Sequence, residues 1–292
     1  MPEISRRTLL AGAAFGPLAD GYRIIDPHVH VWKHDPQFPF AAGAHVPDRD
    51  ATPEMLIDLM NANGVSRTVL IQVIHYRYDN RYLASVLKRY PNLFQGVARV
   101  DPLDPEAPDQ LSQLTEQGFH GVRLSPSGEA SGDWIRGPLM PPLWKRCLDL
   151  KVPMTVLAPI GRMPDVGLLL EKLPGLTVVI DHMADCPVDR PAELEKLIAL
   201  ERYPNVFVKI SHTWSLSKQP YPWLDAQELV KRLYHAFGPQ RLMWATDWPI
   251  IEQWSTYDKA LKVVRDEMKF FTAEDLRWVL SGTIERVWKF GV

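Results

Sequence analysis

From Arg23 onward, short apolar runs rich in β-branched residues alternate with longer stretches in which apolar residues recur every three or four positions. The first pattern is that of buried strands and the second that of amphipathic helices. Strand runs cover 23–30, 67–74, 94–100, 119–126, 152–160, 176–184, 206–214 and 241–249. Helical stretches fall between them at 53–63, 80–90, 109–117, 141–150, 164–173, 191–203, 225–237 and 256–270, with a last one at 272–290. The helix at 53–63 has the plainest boundaries: Thr52 supplies a capping hydroxyl, Pro53 occupies the first turn, where no N–H is needed, and Gly64 ends it. Strand and helix alternating in one order mean parallel strands joined by crossover helices. Eight such units suit a closed (β/α)8 TIM barrel better than an open sheet, although periodicity alone leaves a doubly wound sheet open. The predicted plan is a barrel over 23–292 behind an N-terminal extension at 1–22.

Composition narrows the function without choosing it. The 292 residues are 46% hydrophobic and 23% charged, an ordinary globular balance. A net charge of -2 and the lack of Lys/Arg blocks beyond short pairs argue against a nucleic-acid partner. Cys147 and Cys186 have no CxxC spacing, so neither a disulfide framework nor a thiolate metal site is predicted. Residues 5–15, SRRTLLAGAAF, resemble a twin-arginine export signal but press against the first strand, which leaves cytoplasmic and periplasmic locations both open. No later stretch offers about 18 uninterrupted apolar residues, so no membrane span is predicted.

Chemistry in such barrels gathers where strands end at their C-terminal side. The first strand ends Asp26-Pro27-His28-Val29-His30. Alternation turns Asp26, His28 and His30 to one face. Two imidazoles roughly 7 Å apart along a strand can converge on one divalent ion, or orient water and an oxyanion without one. The sixth strand ends Asp181-His182, where alternation admits one side chain to the cavity; His182 is the choice, with Asp181 as its hydrogen-bond partner from behind. The last strand carries Asp247, followed by Trp248-Pro249-Ile250-Ile251 with no helix to cap, which favours a proton acceptor over a helix cap.

The segments IIDPHVHVW, GVRLSP, VVIDHMA, WATDWP and SGTIERVWKF together resemble the amidohydrolase-2 family of the amidohydrolase superfamily, across nearly the whole chain after Arg23. The likeness is greatest to the lactonase branch, with its 2-pyrone-4,6-dicarboxylate and sugar lactonases. The resemblance implies that Asp247 is the general base, that His28, His30 and His182 complete the catalytic set, and that Arg123 grips a substrate carboxylate or carbonyl. It implies either one divalent ion, zinc foremost, on His28, His30, Asp247 and His182, or metal-free chemistry. The fifth strand supplies no ligand, which argues against a binuclear centre. Where pyrone-dicarboxylate lactonases carry a further arginine, this chain has Ser211-His212-Thr213-Trp214, so a dicarboxylate pyrone is disfavoured.

His75, Trp248 and His212 are further expected substrate contacts. Aromatic residues crowd the predicted loops at Trp32, Phe38, Phe40, Tyr76, Tyr78, Trp134, Trp214, Tyr221, Trp223, Trp248 and Trp254, which suits packing and ring stacking alike. The expected activity is opening of a lactone by water activated at Asp247, on a small-molecule lactone or ring carboxylate. The alternative is a metal-dependent nonoxidative decarboxylase of an aromatic or muconate-type acid. A homo-oligomer is left open.

Overall fold

The computed structural model describes residues 23–124, 137, 138 and 140–290. The extension at 1–22, the end of the fourth strand run and Trp134 lie outside the described residues.

Eight parallel strands neighbour one another in chain order, as the alternating pattern predicts. They are β1 (Ile24–Val29), β2 (Val65–Ile71), β3 (Phe94–Ala98), β4 (Phe119–Leu124), β5 (Met154–Val156), β6 (Val178–Ile180), β7 (Val206–Lys209) and β8 (Leu242–Met243). β1 and β8 approach through an isolated parallel bridge between Val29 and Trp248, so the sheet is a nearly closed (β/α)8 barrel. The last four strands are shorter than their apolar runs. Beyond the ladders most of each run stays buried, but the chain leaves the sheet and continues towards the mouth as short helical turns or irregular chain.

The helix Pro53–Asn63 forms as predicted: the Thr52 side chain accepts from Met55 N at 3.4 Å, and Gly64 takes the left-handed conformation at φ 68°. Three predicted helices are broken. The stretch 191–203 folds as short 3-10 and α pieces, while the last two each contain a π turn, Val263–Glu267 and Trp278–Gly282. In the second of these the Trp278 ring lies where a Cβ on Gly282 would stand, 2.7 Å from its nearest ring atom, so glycine is what permits that turn.

The seam between β1 and β8 is held by polar groups. Asp247 N donates to the His28 carbonyl at 2.9 Å, His30 N to the Trp248 carbonyl at 2.7 Å, and Trp244 Nε1 to the Ile25 carbonyl at 2.7 Å. Asp26 belongs to this seam and not, as strand alternation predicts, to the cavity of the imidazoles. It accepts from His28 N at 3.2 Å, from Thr246 N at 3.3 Å and from the Thr246 hydroxyl. The pairing of β1 with β2 slips between Asp26 and Val29, across Pro27, which breaks the alternation that would align Asp26 with His28.

Burial outweighs the donors around Asp26 and pushes its carboxyl up to about 6. A carboxyl whose pKa rises on folding holds its proton more tightly in the native state, so its ionisation removes stability as pH climbs from near 3.8 to about 6. Asp26→Asn keeps an acceptor and carries no charge. In urea unfolding, the variant is expected to gain on the wild type by roughly 3 kcal/mol between about pH 3.5 and pH 7; a difference that stays flat over that range contradicts this role.

Candidate active site

The polar side chains at the mouth converge because the backbone leaves strand geometry where they begin. His28 and His30 point inward together from the end of β1, with ring centroids 5.1 Å apart. Beyond β6, β7 and β8 the chain turns into the left-handed region at His182 (φ 53°), His212 (φ 65°) and Asp247 (φ 56°). Such conformations are unfavourable for non-glycine residues and persist only when surrounding contacts hold them. Their consequence is direct: Asp181 and His182 both enter the interior, although alternation admits one.

Asp247 is the hub. Its Oδ1 lies 3.0 Å from His30 Nε2 and 3.4 Å from His28 Nε2, and its Oδ2 lies 2.8 Å from His212 Nε2. Burial by itself would raise this carboxyl, yet the bond to His212 and the imidazoles around it hold it well below the usual carboxylate range. His212 also meets Asp185 Oδ1 at 3.3 Å. Burial lowers its pKa, but the two carboxylates carry it up to about 9, so it is an imidazolium at neutral pH. His182 stacks on that ring at 3.5 Å and 5° and bonds to Ser211 Oγ through Nδ1 at 2.8 Å. Burial, then the His212 charge, drives His182 well below its ordinary value, so it is neutral.

Beneath these rings lies a layer of buried charge. Asp181 Oδ1 pairs with Lys209 Nζ at 3.0 Å, and Oδ2 accepts from Arg123 Nε at 3.1 Å. Lys209 Nζ also meets His28 Nδ1 at 3.1 Å. Burial and then Lys209 push His28 down to about 3, so this ring is neutral too. Opposing the effect of its own burial, Lys209 and then Arg123 keep Asp181 ionised, well below the ordinary range. Sequence reading passed over Lys209. The available signal was a cation inside the apolar run Val206-Phe207-Val208-Lys209-Ile210, where a charge is found only with a partner.

The structure therefore gathers His28, His30, His182, His212 and Asp247 into one cluster and sets Arg123 against its floor. Trp248 stays outside that hydrogen-bonded cluster, while His75 stands beside it, near enough to feel a charge on His30. Trp248 is buried at the β1–β8 seam, its indole donating to Glu252 Oε1 at 2.7 Å. His75 follows β2 in a short 3-10 turn, where its ring packs with Trp32, Phe40 and His45. Trp32, Tyr76, Trp214 and Trp223 are buried packing residues, whereas Trp254 is 57% exposed beside Trp214.

Metal-binding geometry is present in outline. Three overlapping sets, His28/His30/Asp247, His28/Asp181/His182 and His182/His212/Asp247, place donor atoms within 4.8 Å of one another. His28 Nε2 and Asp247 Oδ1 are buried polar atoms without a hydrogen-bond partner, as groups that act on a reacting water would be. His30 Nδ1 lies 2.7 Å from the Ile71 carbonyl, which only accepts; Nδ1 then carries the proton, and Nε2 in a neutral ring presents a lone pair.

The amidohydrolase family profile matches residues 25–290. An L-fucono-1,5-lactonase of Burkholderia ambifaria is 30% identical over 237 residues, 77% of this chain and 80% of the relative. A 2-pyrone-4,6-dicarboxylate hydrolase of Comamonas testosteroni is 27% identical, over 77% of this chain and 76% of the relative. Among solved structures, an amidohydrolase of Burkholderia multivorans with bound zinc superposes with a TM-score of 0.80 at 20% identity, covering 92% of this chain and 100% of that one.

Asp181 is the only carboxylate paired with both Lys209 and Arg123 among the described residues. Asp181→Asn leaves two buried cations without that counter-charge, and is expected to lower unfolding free energy by about 3–5 kcal/mol. Chemical denaturation checks this, and a loss below about 1 kcal/mol would show that the ion layer is not what holds the floor.

Proposed function

The chain belongs to the amidohydrolase family, and from that premise we propose that it opens a lactone ring with water activated by Asp247. One observation carries the reading: a carboxylate kept ionised in a buried site, ringed by three imidazoles within 3.4 Å. The relatives of known activity add to it, since both act on cyclic esters by name.

In this mechanism Asp247 Oδ1 accepts a proton from water as the oxygen attacks the lactone carbonyl. His28 and His182, both neutral, donate from Nε2 to the oxygen on which negative charge develops. The C–O bond of the ring then breaks, and the proton on Asp247 passes to the departing alkoxide. His212 holds the Asp247 carboxylate in place through Oδ2, leaving Oδ1 for the water. Arg123 has its Nε committed to Asp181 and would reach a substrate oxygen through its terminal nitrogens.

Zinc, were it bound here, would be held by His28, His30 and Asp247 with His182 nearby, and would polarise the water or carbonyl. His30 suits that role. His28 does not, because Lys209 occupies its Nδ1 side at 3.1 Å, so no step above runs through a metal. The absence of an arginine across Ser211-His212-Thr213-Trp214 favours a lactone without a second carboxylate, of the sugar type, over a pyrone dicarboxylate.

A panel of aldono-1,5-lactones and pyrone lactones, followed by proton release, tests the reading. Turnover should release one proton and no CO2, and Asp247→Asn should lower kcat by about 10²–10⁴-fold with the folded spectrum intact. Evolution of CO2 from aromatic or muconate acids without lactone opening, or near-normal turnover by Asp247→Asn, would overturn it.

A further inference from the structure

The contact between Lys209 and His28 has a chemical consequence that follows from what each atom can do. A metal-ligating histidine usually donates from one ring nitrogen to a carboxylate or carbonyl, which frees the lone pair of the other. His30 is arranged this way, with Nδ1 on the Ile71 carbonyl. His28 is arranged the opposite way. Its Nδ1 faces Lys209 Nζ at 3.1 Å, closer than Asp181 Oδ1 at 3.4 Å. Lys209 is fully buried on β7, its Nζ paired with Asp181 at 3.0 Å and lying over the Trp288 ring at 5.5 Å. An ammonium beside a carboxylate has only protons to offer, so His28 Nδ1 must accept.

We propose that Lys209 is a positioning residue that locks His28 as the Nε2–H tautomer, making it a hydrogen-bond donor towards Asp247 and withholding it as a metal ligand. In that tautomer Nε2 carries its proton towards Asp247 Oδ1, 3.4 Å away, where the reacting oxygen is expected. The lone pair needed by a divalent ion at the His28/His30/Asp247 set is absent. The lysine charge on the far side of the same ring opposes a second cation as well. The cluster thus has the shape of a metal site, with one of its three donors turned into a proton donor by a residue outside it.

The test uses the full chain and no substrate, so its outcome is independent of whether lactones are turned over. In ¹⁵N-histidine-labelled protein, long-range proton–nitrogen spectra should show His28 protonated at Nε2, with the signals assigned through His28→Gln. Zinc titration by calorimetry, with dialysis and elemental analysis, should give about 10- to 100-fold tighter binding in Lys209→Met than in wild type, the range by which partners of metal ligands alter affinity. In that variant the His28 proton should move to Nδ1, towards Asp181. Lys209→Arg, which keeps both donor and charge, should retain the wild-type tautomer and the weaker zinc binding. A wild-type His28 protonated at Nδ1, or a Lys209→Met protein that binds zinc no more tightly, overturns the assignment. Should Lys209→Met not fold, the wild-type spectrum decides alone.

Discussion

The structure depends most on the seam at which the barrel closes. Two backbone hydrogen bonds, Asp247 N to the His28 carbonyl and His30 N to the Trp248 carbonyl, join the first strand to the last. Three of the four residues that make them, His28, His30 and Asp247, carry side chains of the candidate site. Closing the barrel and placing His28 and His30 against Asp247 are therefore one event. A shift in that register would separate the imidazoles from the carboxylate as surely as it would open the sheet. Asp26 reinforces the seam from its other side through Thr246, and does so as a buried carboxyl that resists ionisation.

Charge in the interior is arranged in two layers. The lower one is a tightly paired group, Asp181 between Lys209 and Arg123, whose members are buried and whose geometry leaves little freedom. The upper one holds two neutral imidazoles, His28 and His182, beside the charged His212 and the ionised Asp247. Lys209 links the layers through His28. Buried ions of this kind contribute little net stability compared with apolar packing of the same shape, so their use here is better understood as orientation of the groups above them. The strain at His182, His212 and Asp247 fits the same view, since left-handed backbone at three strand ends is tolerated for what it does to side-chain direction.

Much of this was legible in the sequence, because the properties concerned are local. Eight apolar runs separated by amphipathic stretches prescribe eight parallel strands buried on both faces, a number that suits a barrel better than an open sheet. The capped helix at Pro53–Asn63 could be located to the residue for the same reason. His28, His30, His182 and Asp247 stood out as polar residues ending apolar runs, which marks the mouth of a barrel before any coordinate is known. The continuity of the last two helices was overestimated, as a π turn preserves the apolar spacing that signals an unbroken helix.

Tertiary structure decided what those residues do to one another. Strand alternation could not show that Asp181 and His182 share the interior, that Asp26 turns to the seam, or that Trp248 is buried away from the cluster. Each depends on a bulge or a left-handed residue that breaks the two-residue period. Nor could it pair Lys209 with His28, 181 positions apart in the chain, or join His212 to both Asp247 and Asp185. The sequence determined which chemical groups would meet at one end of a barrel, because hydrophobic periodicity is written in neighbouring residues. Their protonation, tautomers and partners were decided by the folded chain, because electrostatic and hydrogen-bond contacts form only between residues that the barrel brings together.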